Sequence, residues 1–249
     1  MTGSEASTDS VITNENGMYK RCADGDILRP LFAIMNPELT ATLPKYQTAS
    51  GISDIMSHCM ERYFSHTKDV ELTDRMLEAV MLSLIKESKR VMADPANYEA
   101  RANIMWAATI AHNNITGVGR AQDWDTHHME NELSASYGCS HGAGLGILHP
   151  YWMAYALKHG GLNRLVQFAT RVWGCEMDFE NPETTALEGI AAYKNSIRSM
   201  DLPTTIGEIG GKPEDAPRLA QSMFHEAPNH GSFIELTPEI AEEIYRMTM

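Results

Sequence analysis

Cysteine, basic side chains and long apolar runs are all scarce in this chain, and each scarcity removes a class of protein. The four cysteines, Cys22, Cys59, Cys139 and Cys175, lie far apart and form no CxxC pair. That excludes a disulfide-dense framework, and they read as reduced, mostly buried thiols. Twenty Lys and Arg stand against 33 Asp and Glu, a net charge of −13. Such a surface repels phosphate backbones and anionic headgroups, so neither nucleic acid nor a membrane is expected as a partner. The most apolar stretches, 103–111 and 142–157, are respectively too short and interrupted by His149 and Pro150. Neither supplies the ~20-residue span that a bilayer needs. The first ten residues carry no basic segment followed by an apolar one, so the sequence predicts a cytoplasmic protein unless a signal has been removed.

What is present is core-forming material: 43% of the 249 residues are hydrophobic, including 16 Met, whose flexible side chains fill irregular interiors. The spacing is helical from Leu72 onward, where Leu72, Met76, Val80, Leu84 and Val91 mark one face over 72–92, closed by Asp94-Pro95. Asp94 is expected to cap a second helix with Pro95 at its first position, carrying Ile104, Ala107, Ala108, Ala111 and His112 on one side. Asn181-Pro182-Glu183 and Thr237-Pro238-Glu239 repeat the order of cap, proline and acid, predicting helices over 186–200 and 240–247. Between them Leu162, Leu165, Val166, Ala169, Val172 and Trp173 form an apolar stripe that Gly174 ends. The first forty residues differ. Runs 10–13 and 31–35 are strand-like and separated by the turn dipeptides Asn16-Gly17 and Asp24-Gly25. A small sheet at the start of a helical domain is the expectation, with one loop-rich stretch over 201–217.

Pro44 opens a further predicted helix that runs to Tyr63 and places Asp54 and His58 on one face, a turn apart, where carboxylate and imidazole can reach one ion. A carboxylate orienting a neighbouring imidazole, or a solvated polar stripe, has the same spacing. The segment 123–146 adds His127, His128 and His141, followed by Gly142, Gly144 and Gly146, which permit close backbone approach. His66, His112, His149, His159, His225 and His230 show no such pairing and read as core or surface imidazoles, with His149 a candidate for the pocket wall. Trp152, Met153 and Tyr155 suit an apolar substrate pocket and a core equally well.

Taken together, Thr2-Gly-Ser-Glu5, Val11-Ile-Thr13, Pro37, Thr42-Leu-Pro44, Asp54-x3-His58, His127-x13-His141 and His141-Gly-x-Gly resemble the iron-containing (group III) alcohol dehydrogenase family, in its NADPH-using, butanol dehydrogenase-like branch. The resemblance covers essentially the whole chain. It implies Asp54, His58, His127 and His141 as ligands of one divalent metal, Fe²⁺ or Zn²⁺ by ligand type. It also implies hydride transfer between NAD(P)(H) and a small primary alcohol or aldehyde, with the metal polarising the substrate oxygen. The fold it implies is mainly α: a helical, dehydroquinate synthase-like metal-binding domain over 44–249, and over 1–43 a short β remnant of a nucleotide-binding α/β domain. Thr2, Ser4, Ser7, Lys20, Leu39 and Thr42 are carried over as cofactor contacts, and homodimers are common in the family.

The family's glycine-rich pyrophosphate loop has no counterpart here, because Gly117-Val-Gly119 and Gly142-Ala-Gly144 lack the nucleotide-fingerprint context. The chain is therefore expected to represent the C-terminal part of such an enzyme, with little turnover alone. Asn131 stands where many members place a histidine near the nicotinamide, and it cannot titrate. Two other readings use the same residues. One is a metal-binding helical domain that needs a separate nucleotide-binding part; the other, metal-assisted hydrolysis, lacks an evident HExxH-type base.

Overall fold

The computed structural model describes residues 2–225 and 231–249, so His230 lies outside the described residues. The chain opens with an antiparallel hairpin, β1 (Asp9–Asn14) and β2 (Tyr19–Asp24), and continues as nine helices among the described residues. These are α1 (Lys45–Tyr63), α2 (Glu71–Ala93), α3 (Tyr98–His112), α4 (Asp125–Tyr137), α5 (His141–Lys158), α6 (Leu162–Val172), α7 (Pro182–Ser199), α8 (Ala216–Met223) and α9 (Pro238–Met247). The mainly α expectation holds. No described helix is long and apolar enough to cross a membrane.

Helix α1 is the axis of the domain. It starts behind Pro44, and every residue from Thr48 to Tyr63 is buried, with α2, α3 and α5 packed around it. A helix buried on all sides ordinarily carries apolar residues throughout. This one buries Asp54, His58, Glu61 and Arg62 as well, and such groups stay inside only where partners or ligands meet them.

Helix α5 lies closest to α1, and its glycines set the distance. A Cβ on Gly142 would sit 1.9 Å from the Ser50 carbonyl oxygen of α1, and one on Gly144 would sit 2.7 Å from Glu130 of α4. One face of the α5 N-terminus thus presses against α1 and the next against α4.

Several boundaries differ from the sequence reading. The partner of β1 is Tyr19–Asp24, not the run 31–35, which forms no strand; Leu31, Phe32 and Ile34 are 100%, 79% and 87% exposed. The turn was legible, since Asn14 Oδ1 accepts from Asn16 N at 3.0 Å and Gly17 has φ 98°. Strand β2, with Lys20 and Arg21, has no apolar pattern to announce it. Asn97, not Asp94, caps α3 by accepting from Ala100 N at 2.9 Å; Asp94 accepts from Ala96 N and closes a turn through Pro95. The buried face of α2 is Leu77, Val80, Met81, Leu84 and Val91, while Leu72 is 75% exposed. Asn181 precedes α7 without a side-chain cap; Asp178 Oδ1 accepts from the Glu180 and Asn181 amides instead. Thr237 caps α9 as expected. The stretch 201–217 is loop and short 3-10 turns up to Asp215; the sequence reading did not see α8, which follows it and buries Ala216, Leu219, Ala220 and Met223. Of the four cysteines only Cys59 is buried, and Trp152, Met153 and Tyr155 belong to the core.

The crossing of α1 and α5 yields a graded prediction. Gly142→Ala gains helix propensity of about 1 kcal/mol but drives a Cβ into backbone, and should lower stability by at least ~2 kcal/mol. At Gly146 the nearest atoms are side chains at 3.1 Å, so Gly146→Ala should cost clearly less. Urea unfolding of the two variants checks the order, and equal losses would contradict it.

Candidate metal centre

Three helix segments converge beside the middle of α1. Asp54 and His58 project from its mid-section, His127 from the first turn of α4, and His141 from the first residue of α5. Donor atoms of Asp54, His127 and His141 lie within 4.8 Å of one another. Asp54 Oδ1 is 3.5 Å from His58 Nε2, 3.7 Å from His127 Nε2 and 3.8 Å from His141 Nε2. Asp54 Oδ1 and His127 Nε2 are buried without a hydrogen-bond partner. Unpaired buried polar atoms are costly, and three imidazole nitrogens with one carboxylate oxygen are the donor set of a divalent transition metal. The residues therefore fit the group that the sequence implies.

His58 departs from the expected ligand set in one respect. Its Nε2 faces Asp54, but it lies outside the three-residue cluster, with its ring stacked between His112 at 3.9 Å and His127 at 5.1 Å. Burial holds the His58 imidazole well below its ordinary pKa, so it stays neutral. Burial acts likewise on His112, reinforced by Arg62, and takes it down to about 4. For Asp54 burial works in the opposite sense, but the surrounding imidazoles outweigh it, and the carboxyl stays ionised far below the usual range.

Two buried glutamates orient the other histidines. Glu61 Oε1 lies 2.7 Å from His127 Nδ1 and accepts from His127 N at 3.1 Å, and its Oε2 accepts from Trp124 N at 3.0 Å. Thr126 Oγ1 donates to the same carboxylate and lies 3.0 Å from His149 Nε2. Glu61 thereby sits at the N-terminus of α4, where the helix dipole favours a negative charge. It also holds Trp124, a non-glycine residue at φ 69°, in the left-handed region, a conformation that persists only where neighbours impose it. Glu130 contacts His141 Nδ1, and Lys20 Nζ joins them at 3.1 Å from both partners and 2.8 Å from Ser134 Oγ. With a carboxylate at Nδ1, each imidazole turns its Nε2 toward Asp54.

The site opens into a cavity of about 690 Å³. Thr2, Ser4 and Asn131 line it, as do Asp9, Cys22, Arg62, Arg120 and Trp124. Ser7 is buried behind it, donating to Ser4 O and accepting from Asp9 N. Lys20 belongs to the His141 cluster. Leu39, 77% exposed, and Thr42 lie outside the cavity wall, and so does His149, which is wholly buried.

The sequence reading missed Glu61, Glu130, His112 and Trp124. The signal for the glutamates was present: each follows a candidate ligand histidine by three residues and shares its helix face. Each, however, serves a histidine of another segment. Replacing a partner of this kind weakens metal sites by about 10–100-fold. Glu61→Gln and Glu130→Gln should each lower Zn²⁺ affinity in that range, measured by competition with a chromophoric chelator. Unchanged affinity in both would remove the orienting role.

Comparison with known proteins places the chain in a family. Residues 48–249 match the model described as Fe-containing alcohol dehydrogenase family, C-terminal. The chain is 37% identical over 246 residues to NADH-dependent butanol dehydrogenase A of Clostridium acetobutylicum, covering 98% of this chain and 63% of that protein. It is 32% identical to the NADPH-dependent aldehyde reductase of Escherichia coli, covering 98% and 62%. The crystal structure of NADH-dependent butanol dehydrogenase A from Thermotoga maritima superposes with a TM-score of 0.93 at 32% identity, over 99% of this chain and 63% of that one. The chain thus spans less than two thirds of the length of these relatives, and it belongs to the iron-containing alcohol dehydrogenase family.

Proposed function

We propose that this chain is the metal-holding part of an NAD(P)(H)-dependent alcohol dehydrogenase or aldehyde reductase acting on small primary alcohols and aldehydes, with Asp54, His58, His127 and His141 as the ligands of Fe²⁺ or Zn²⁺. The observation that carries the reading is the pair of buried, unpartnered polar atoms, Asp54 Oδ1 and His127 Nε2, beside His141 and at the floor of a cavity. A divalent cation bound there supplies Lewis acidity toward an alcohol or aldehyde oxygen, and the nicotinamide exchanges the hydride. The chain's own residues do the rest. Glu61 and Glu130 fix the imidazoles, and Trp124, edge-on to His127 at 4.9 Å, keeps bulk water from that side. Asn131 offers a hydrogen bond without a titrating proton. Thr2 and Ser4 line the same cavity, in keeping with a cofactor approaching from the N-terminal segment, 1–43, toward the helical domain, 44–249. A second reading, a metal-binding domain that needs a separate nucleotide-binding part, is favoured by the 63% span of the relatives. Hydrolysis gains no support, because Glu61 and Glu130 are both engaged with ligand histidines.

Anaerobically purified protein should hold near one equivalent of metal by elemental analysis, and His127→Ala with His141→Ala should lose it. No metal in either protein, or equal metal in both, would contradict the ligand assignment. NADPH- or NADH-dependent reduction of butanal, followed alongside, separates the two readings: metal with turnover supports the enzyme, and metal without turnover supports the dependent domain.

A further inference from the structure

His149 is a buried titratable group that the chemistry above leaves unused. It projects from the middle of α5 and is wholly buried, outside the cavity wall. The Trp152 and Tyr193 rings stand edge-on to it at 6.4 and 6.1 Å. Burial takes its pKa down to about 4, so the ring is neutral and carries a single N–H. Its Nε2 lies 3.0 Å from Thr126 Oγ1, and its Nδ1 is buried without a partner.

Counting hydrogens decides which nitrogen of the ring carries that N–H. The Glu61 carboxylate accepts from the Trp124 and His127 amides and from the Thr126 hydroxyl. A hydroxyl has one hydrogen and two lone pairs, so with its hydrogen on Glu61, Thr126 turns a lone pair toward His149. Only an Nε2–H makes a hydrogen bond there, because the other tautomer sets two lone pairs against each other. Donation into Oγ1 also polarises the hydroxyl toward the carboxylate and leaves its hydrogen no second acceptor in α5. Glu61 in turn lies 2.7 Å from His127 Nδ1. We propose that His149, as the Nε2–H tautomer, is a positioning residue for the metal centre, acting through the Thr126 hydroxyl to fix the Glu61 carboxylate against His127. The same path ties α5, whose first residue is His141, to the first turn of α4, which carries His127. The inference rests on the proposed function, in which His127 is a ligand.

Ring ¹H–¹⁵N correlation spectra of the metal-free and Zn²⁺-loaded chain at neutral pH report the tautomer, with the His149 peaks assigned by their loss in His149→Gln. His149 should be the Nε2–H form in both. Zinc affinity, read by competition with a chromophoric chelator, then measures the effect. His149→Met keeps the bulk without the donor and should bind zinc about tenfold more weakly, the lower end for groups that stand behind a ligand. His149→Gln, whose amide can donate to Thr126 Oγ1, should stay within about threefold of wild type. In Thr126→Val the path is already cut, so adding His149→Met should cost less than about twofold more. Thermal midpoints of the metal-free proteins are measured in parallel. Thr126→Val, which should lose at least as much affinity, replaces His149→Met if the latter does not fold. An Nδ1–H form of His149, wild-type affinity in His149→Met, or equal losses in His149→Met and His149→Gln overturns the proposal. A chain that binds no zinc counts against the proposed function alone, because the tautomer in the metal-free protein still tests the bond from His149 to Thr126.

Discussion

The structure around the candidate centre depends on one buried carboxylate. Glu61 is 2% exposed and gathers the Trp124 amide, the Thr126 hydroxyl and both the amide and Nδ1 of His127. A buried carboxylate is unfavourable by itself, and burial raises its pKa; the hydrogen bonds to His127 and Thr126 more than offset this and keep it ionised. In the same arrangement burial disfavours the His127 imidazolium, but Asp54 and Glu61 draw its pKa up to about 9. A divalent cation satisfies that demand for positive charge without a proton. The tie also fixes where α4 begins, and with it the position of His127 relative to Asp54.

The second constraint is steric. His141 can reach Asp54 because α5 starts against α1, and it can start there because Gly142 has no Cβ to meet the Ser50 carbonyl. Gly144 gives Glu130 the same allowance from the neighbouring face, and Glu130 in turn holds His141. Gly142 and Gly144 therefore shape the site through helix separation.

Much of this was legible in the sequence. Helix α1 was visible from Pro44 to Tyr63, and the i, i+4 spacing of Asp54 and His58 is a local property of it; His127 and His141, on two other helices, were joined to that pair only by the family resemblance. Glu61 and Glu130 were not legible as partners, since each binds a histidine brought in by another element, and spacing along the chain carries no trace of that. The same limit explains β2, which is a strand by virtue of pairing with β1 and not by hydrophobic pattern, and α8, a short helix hidden among glycines and prolines. Leu31, Phe32 and Ile34 were read as a strand from composition, but among the described residues no neighbour completes the ladder. His112 illustrates a further case: an apolar helix face predicted a core imidazole, and the residue does face inward, yet it stacks on His58 at the cavity wall.

The central claim is that imidazole nitrogens and one carboxylate oxygen from α1, α4 and α5 hold a divalent ion. Zinc K-edge X-ray absorption of the loaded chain tests it most directly. The account predicts a shell of nitrogen and oxygen at about 2.0–2.1 Å with the outer-shell scattering of more than one imidazole, altered in Asp54→Asn. A sulfur shell at about 2.3 Å, or a spectrum with no imidazole scattering and no response to Asp54→Asn, would contradict it.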